Sequence, residues 1–191
     1  MKTFNLLILF PLIYFFSGCT KDKNDDDSPE NPGIAIAVPN GGFESWDSMP
    51  VPLDWNTNSC PPCMTPYESY IVRRDPQAFT GQFAAKFIYN NVYASYGQCR
   101  FTVPYHPVTL NARVKCNVAG GDMVSIRVSL YHNASVIDSG AWTGTTTISS
   151  YTHVVIPITQ SSTAVDSAVI NIVGGSQSTT TELWVDDMVM F

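Results

Sequence analysis

Charge is scarce in this chain. Only 14% of its 191 residues are Asp, Glu, Lys or Arg, and they sum to a formal charge of -6 at neutral pH. Nucleic-acid binding is excluded on that ground, because displacing counterions from phosphates takes clustered Lys and Arg. Helical period is missing too: from Ile34 onward no apolar run at helical spacing survives the prolines and β-branched residues. Histidine is limited to His106, His132 and His153, which stand in none of the spacings that hold a catalytic zinc. No Ser occupies a Gly-x-Ser-x-Gly elbow, so nucleophilic hydrolysis has no visible machinery. The acids Asp122, Asp138, Asp166 and Glu182 fall at turn-like positions and form no recognisable pair of the kind that glycoside hydrolysis needs.

What the chain does have is Ser, Thr, Asn and Gly in abundance with 12% aromatics, the balance of an extracellular β-protein. It opens on Lys2 and the apolar stretch "FNLLILFPLIYFF", which is interrupted by Pro11 and too short to cross a bilayer as a helix. "SGC" follows, and the whole resembles a bacterial lipoprotein signal. Residues 1–18 are therefore expected to be a signal peptide, with Cys19 the acylated first residue of the mature chain. The next stretch, "TKDKNDDDSPENPG", has no large apolar residue to offset ordering entropy, so residues 19–33 read as a flexible acidic tether. Lysine followed by acids just after the lipid Cys resembles the surface-export signal of Bacteroidota lipoproteins. That implies a domain anchored in the outer membrane by lipid alone and exposed at the cell surface.

Residues 34–191 read as one folded domain. In "MVSIRVSLY" Val124, Ile126, Val128 and Leu130 alternate with Ser125, Arg127, Ser129 and Tyr131, the pattern of a strand with one buried side. "NARVKCNV", "YTHVVIPI" and "AVINIV" alternate likewise, and "AGGD", "YHNAS", "SGAWTG" and "VGGSQS" read as the turns between such strands. The fold expected is an all-β, antiparallel jelly-roll sandwich. Beyond Cys19 four cysteines remain in an oxidising compartment, where disulfides are the default. Cys99 and Cys116 each share a strand face with apolar neighbours and point inward, which favours a bridge between them and leaves Cys60 with Cys63; two buried free thiols are the alternative. "CPPC" itself lies among prolines with no βαβ pattern, the wrong setting for a redox or zinc motif.

Three segments, "NGGFESW" at the start, "FTGQFAAKF" in the middle and "LWVDDMVMF" at the end, resemble in order the motifs of jelly-roll carbohydrate-binding modules of the group spanning families four, nine and twenty-two. "HPVTLNARVKC", "GDMVSIRVSLYHN" and "SYTHVVIPI" look closer still to the carbohydrate-metabolism (PCMD) domain of Bacteroidota lipoproteins. The resemblance covers Asn40 to Phe191 and implies a galactose-binding-like fold, no catalysis and a polysaccharide or other glycan as partner. It also implies a structural calcium held by Glu44 and an Asp of the closing pair, Asp186 or Asp187, with Gly41 and Gly42 leaving backbone carbonyls free to approach. Sugars are gripped by flat aromatic faces and side-chain hydrogen bonds. Candidates for that role are Trp46, Arg127, Tyr131 and Trp142, with Tyr93, Tyr96 and Tyr105 as further aromatics; Phe43 and Trp55 are assigned to the core. Other surface glycan-utilisation proteins are possible partners. The competing expectation is a structural or adhesive lipoprotein that docks other proteins without a sugar site.

Overall fold

The computed structural model describes residues 33–48, 51–59, 71–89, 94–175, 177–178 and 180–191. The signal peptide, Cys19, nearly all of the tether, Cys60, Cys63 and Tyr93 lie outside the described residues. Among those described there are eleven strands and no helix. They are β1 (Ile36–Ala37), β2 (Asn56–Thr57), β3 (Val72–Asp75), β4 (Ala84–Ile88), β5 (Tyr96–Thr102), β6 (Thr109–Asn117), β7 (Val124–His132), β8 (Ser135–Gly144), β9 (Ile148–Pro157), β10 (Ser167–Gly174) and β11 (Glu182–Met190). They form two antiparallel sheets, one ordered β3-β4-β11-β6-β9 with β1 also on β11, the other ordered β2-β5-β10-β7-β8. The expected jelly-roll sandwich is what the chain adopts.

Alternation explains both layers. Val124, Ile126, Val128 and Leu130 of β7 are fully buried, as are Leu110 and Val114 of β6 and Ile156 of β9, so the two inner faces close on one apolar core. Burial of such side chains is worth about 1.5–3 kcal/mol each, the main drive for pairing the sheets. Phe43 and Trp55 lie in this core as expected, their ring centroids 5.0 Å apart. The turn between β7 and β8 is made by Asn133 and Ala134, whose positive φ values of 47° and 66° suit a two-residue hairpin.

The ends of the domain meet: Ile36 of β1 lies opposite Met190 of β11, and Ala37 opposite Val189. Within β11 the register against β6 shifts between Asp186 and Val189, where one extra residue is accommodated by Asp187 at φ 51°. This bulge turns Asp187 to solvent and returns Met188 and Met190 to the core. It also leaves Asp186 on the outer side of its sheet, where the segment 76–83 crosses over it. Phe79 of that segment stacks on Arg113 at 4.5 Å and meets Tyr151 edge-on at 5.9 Å, while the Tyr151 hydroxyl donates to the Gln77 carbonyl at 2.6 Å.

Two expectations are corrected here. "SGAWTG" is not a turn but the middle and end of β8; its glycines are there for close packing, since a Cβ on Gly140 would sit 2.3 Å from the Pro157 carbonyl oxygen and one on Gly144 would sit 2.8 Å from the Trp142 ring. The Cys99–Cys116 bridge is not formed. Both residues do face the core, but Cys99 belongs to β5 of one sheet and Cys116 to β6 of the other, and each is a buried free thiol. Cys116 donates weakly to the Thr146 carbonyl at 3.5 Å, and burial pushes the Cys99 thiol up to about 11.

Candidate functional site

The acids of the opening and closing motifs lie around one segment. Asp186 is fully buried; its Oδ2 accepts the backbone N–H groups of Phe79 at 2.7 Å and Thr80 at 3.0 Å, and its Oδ1 accepts the N–H of Asp187 at 2.7 Å. Glu44 Oε1 accepts the N–H groups of Gln82 at 2.8 Å and Phe83 at 3.1 Å. The tight approach needs Gly81, which has φ 67° and whose Cβ, were there one, would lie 2.0 Å from Glu44 Oε1. Gly42 passes near the other carboxylate, a Cβ there falling 3.9 Å from Asp186 Oδ1. Burial raises the Asp186 pKa above the ordinary carboxylate range, against the pull of its three amide donors.

This arrangement does not fit the calcium that the resemblance implied. Calcium wants six to eight oxygens. Here the Asp186 oxygens and Glu44 Oε1 are already engaged by N–H groups, Asp187 faces solvent, and among the described residues no group of three His, Cys, Asp or Glu side chains could hold a metal. The negative charge that a cation would neutralise is met by five backbone donors along the 79–83 segment and the bulge.

The second site is the outward face of the five-stranded sheet. Register sets a row of side chains across it: Asn56 opposite Gln98, Gln98 opposite Asn171, Asn171 opposite Arg127, and Arg127 opposite Ala141. The neighbouring row runs Tyr96, Val173, Ser125, Thr143. The Asn171 side-chain carbonyl accepts from the Tyr96 hydroxyl and from Gln98 Nε2, both at 2.8 Å. Between these rows opens a cleft of about 400 Å³, with Met123, Ala141 and Val173 supplying apolar surface and Ser125, Arg127, Thr143 and Asn171 the polar groups. The chemistry this face offers is recognition by hydrogen bonds over a partly apolar floor. The only acidic residue on its strands is Asp138, and it is buried, accepting from the Ser161 hydroxyl and the His106 ring.

Of the residues expected to touch a ligand, Arg127 lines the cleft. Tyr131 is on the same face, further along, with the Arg100 guanidinium 4.9 Å above its ring. Trp142 is not at a loop tip: it lies opposite Ile126, so it turns inward and packs against the core. Trp46 also packs against the core, its indole N–H donating to the Phe43 carbonyl, beside the bridge to Pro52. Asn171, Gln98, Ser125 and Thr143 were not foreseen, because only strand register assembles them.

Fold and face together define the class: a jelly-roll β-sandwich with a polar cleft on the outside of one sheet. Several of the solved structures it is similar to are carbohydrate-binding modules. One is TmCBM61 in complex with β-1,4-galactotriose, at 14% identity over 81% of this chain and 96% of that one, TM-score 0.53. Another is the K2 cleaved adhesin domain of Lys-gingipain, at 12% identity over 82% of this chain and 97% of that one, TM-score 0.50. A third is a Stig cyclase from Fischerella sp. TAU, at 15% identity over 82% of this chain and 96% of that one, TM-score 0.48. At such identities the likeness is one of fold. No family model matches the chain, and no curated protein matches it.

Proposed function

We propose that this chain is a non-catalytic glycan-binding module, held by a lipid on Cys19 at the outer membrane and facing the cell exterior. The observation that carries the reading is the cleft of about 400 Å³ on the five-stranded sheet, where apolar surface lies next to amide, hydroxyl and guanidinium groups. A sugar presents apolar C–H faces and a rim of hydroxyls, and a site of this make-up matches both. Catalysis has less support, because a glycosidase needs two carboxylates about 5–10 Å apart. The strands of this face carry one acid, Asp138, already engaged by His106 and Ser161. An adhesive role would use a contiguous apolar patch. Among the described residues the large exposed apolar side chains, Ile34, Leu53, Phe79, Met123, Val136 and Val155, instead stand on six separate segments. Membrane anchorage rests on the sequence signal at residues 1–19 alone.

The test is electrophoresis of the full chain through native gels containing a panel of neutral and acidic polysaccharides. Retardation by at least one of them is expected. Unchanged mobility in every gel overturns the reading.

A further inference from the structure

Arg127 is the unusual member of the cleft. A guanidinium offers five donors and no acceptor. Yet Arg127, an exposed residue on the central β7–β10 rows, has no hydrogen bond or ion pair among the described residues. Its cross-strand neighbour Asn171 is committed in the same sense. With the Asn171 carbonyl oxygen taken by both the Tyr96 hydroxyl and Gln98 Nε2, what the amide still presents is its NH₂ group. Tyr96 stays a donor to it, since burial holds the phenol above its ordinary value of 10.0. Two adjacent groups that can only donate thus face one cleft.

The electrostatic setting points the same way. The five strands of this sheet contain Arg100 and Arg127 but no acid other than the buried Asp138. Among the described residues Arg127 is the one charged residue that lines the cleft, while Arg100, further along the sheet, has Asp166 as a charge neighbour. An exposed Arg that merely solvates a surface needs neither a cleft nor a donor-only amide in register beside it. Lys86 and Lys115, on the opposite sheet, show the contrast: each already has an acceptor, Glu182 at 2.7 Å and Gln77 at 2.7 Å.

We infer that the cleft takes a saccharide bearing an anionic group, a carboxylate or a sulfate ester, with Arg127 as the residue that selects for the charge and Asn171 donating beside it. The inference rests on the glycan-binding reading and narrows it. Met123 and Val173 supply the apolar surface under the sugar ring, and Ser125 and Thr143 serve its hydroxyls.

The experiment is calorimetric titration of the full chain, as wild type, Arg127→Ala and Arg127→Lys, with two charged polymers and their uncharged counterparts. These are polygalacturonate against its methyl ester, and dextran sulfate against dextran. At least one charged polymer is expected to bind about tenfold or more tightly than its counterpart, the contribution of one charge-assisted hydrogen bond. Arg127→Ala should abolish that preference at unchanged melting temperature, and Arg127→Lys should restore only part of it, because an ammonium lacks the planar fork. Preference for polygalacturonate identifies a carboxylate, and preference for dextran sulfate a sulfate. Equal affinity within both pairs, or a preference that survives Arg127→Ala, overturns the inference. If neutral polysaccharides of the wider panel still bind, the anionic ligand alone falls; if no polymer binds, the glycan reading falls with it.

Discussion

Replacing Asp186 by Ala should be among the most damaging single changes outside the apolar core. The side chain is fully buried and accepts three backbone N–H groups, two of them from the segment that crosses its sheet. Hydrogen bonds to a charged acceptor contribute about 1.5–3 kcal/mol each but do not add, since the Phe79 and Thr80 amides regain water as the segment lifts; a net loss of about 3–5 kcal/mol follows. For a domain of this size each kcal/mol moves the melting temperature by about 2–4 °C, so Asp186→Ala should melt about 6–20 °C below wild type. Glu44→Ala, which frees two amides at a more exposed position, should lose less. Asp187→Gly should lose almost nothing, because the carboxylate faces solvent and glycine accepts a φ of 51°. The assay is thermal denaturation followed by near-ultraviolet circular dichroism, in EDTA and then in excess calcium. Calcium should leave the wild-type midpoint where it was. If calcium raises it, or if Asp187→Gly is as damaging as Asp186→Ala, the carboxylates share a cation and the amide account is wrong.

Trp142→Ala should destabilise the fold by about 2–4 kcal/mol, as loss of a core-packed ring does, while leaving polysaccharide retardation in native gels intact; loss of binding without loss of stability would return Trp142 to the ligand. Asp138 has its pKa pulled down to about 2: burial raises it, but hydrogen bonds from Ser161, His106 and Thr159 outweigh burial. A carboxyl depressed in the folded state stabilises above the ordinary carboxylate range and stops doing so as pH falls toward about 2. Denaturation curves of Asp138→Asn should therefore lie below wild type at pH 7 and converge with it near the acid limit; a gap that does not narrow with acid contradicts the assignment. Iodoacetamide should modify Cys99 and Cys116 in denaturant without any reductant, read by peptide mass spectrometry, whereas modification only after reduction would restore the bridge.

The parts of this structure that were legible in the sequence are those fixed by period two. The β7 run from Val124 to Leu130 named its own buried face, and the opening and closing motifs pointed to each other, as Glu44 and Asp186 do in meeting the same 79–83 segment. What was not legible depends on breaks in the period or on pairing between distant strands. The bulge at Asp187 is such a break: an alternating strand would send Asp186 and Asp187 to opposite faces, whereas here one is covered by a crossing segment and the other pushed to solvent. "SGAWTG" misleads because Gly140 and Gly144 look like turn residues, while Gly140 lets β8 approach β9 and Gly144 leaves room for the ring of Trp142 on the same strand. Asn171 left a faint trace, a lone polar residue at an outward position of "AVINIV". Nothing in the sequence, however, aligns it with Gln98 of β5 and Arg127 of β7; that takes the register of three strands.

The most direct test of the central claim, that the outside of the five-stranded sheet is the ligand face, is amide chemical-shift mapping during titration with an oligosaccharide of whichever polymer retards the chain most. Shifts should concentrate on β5, β7, β8 and β10, strongest around Arg127, Asn171 and Thr143. Shifts concentrated instead on β4, β6, β9 and β11, or on the segment between β3 and β4, would contradict it.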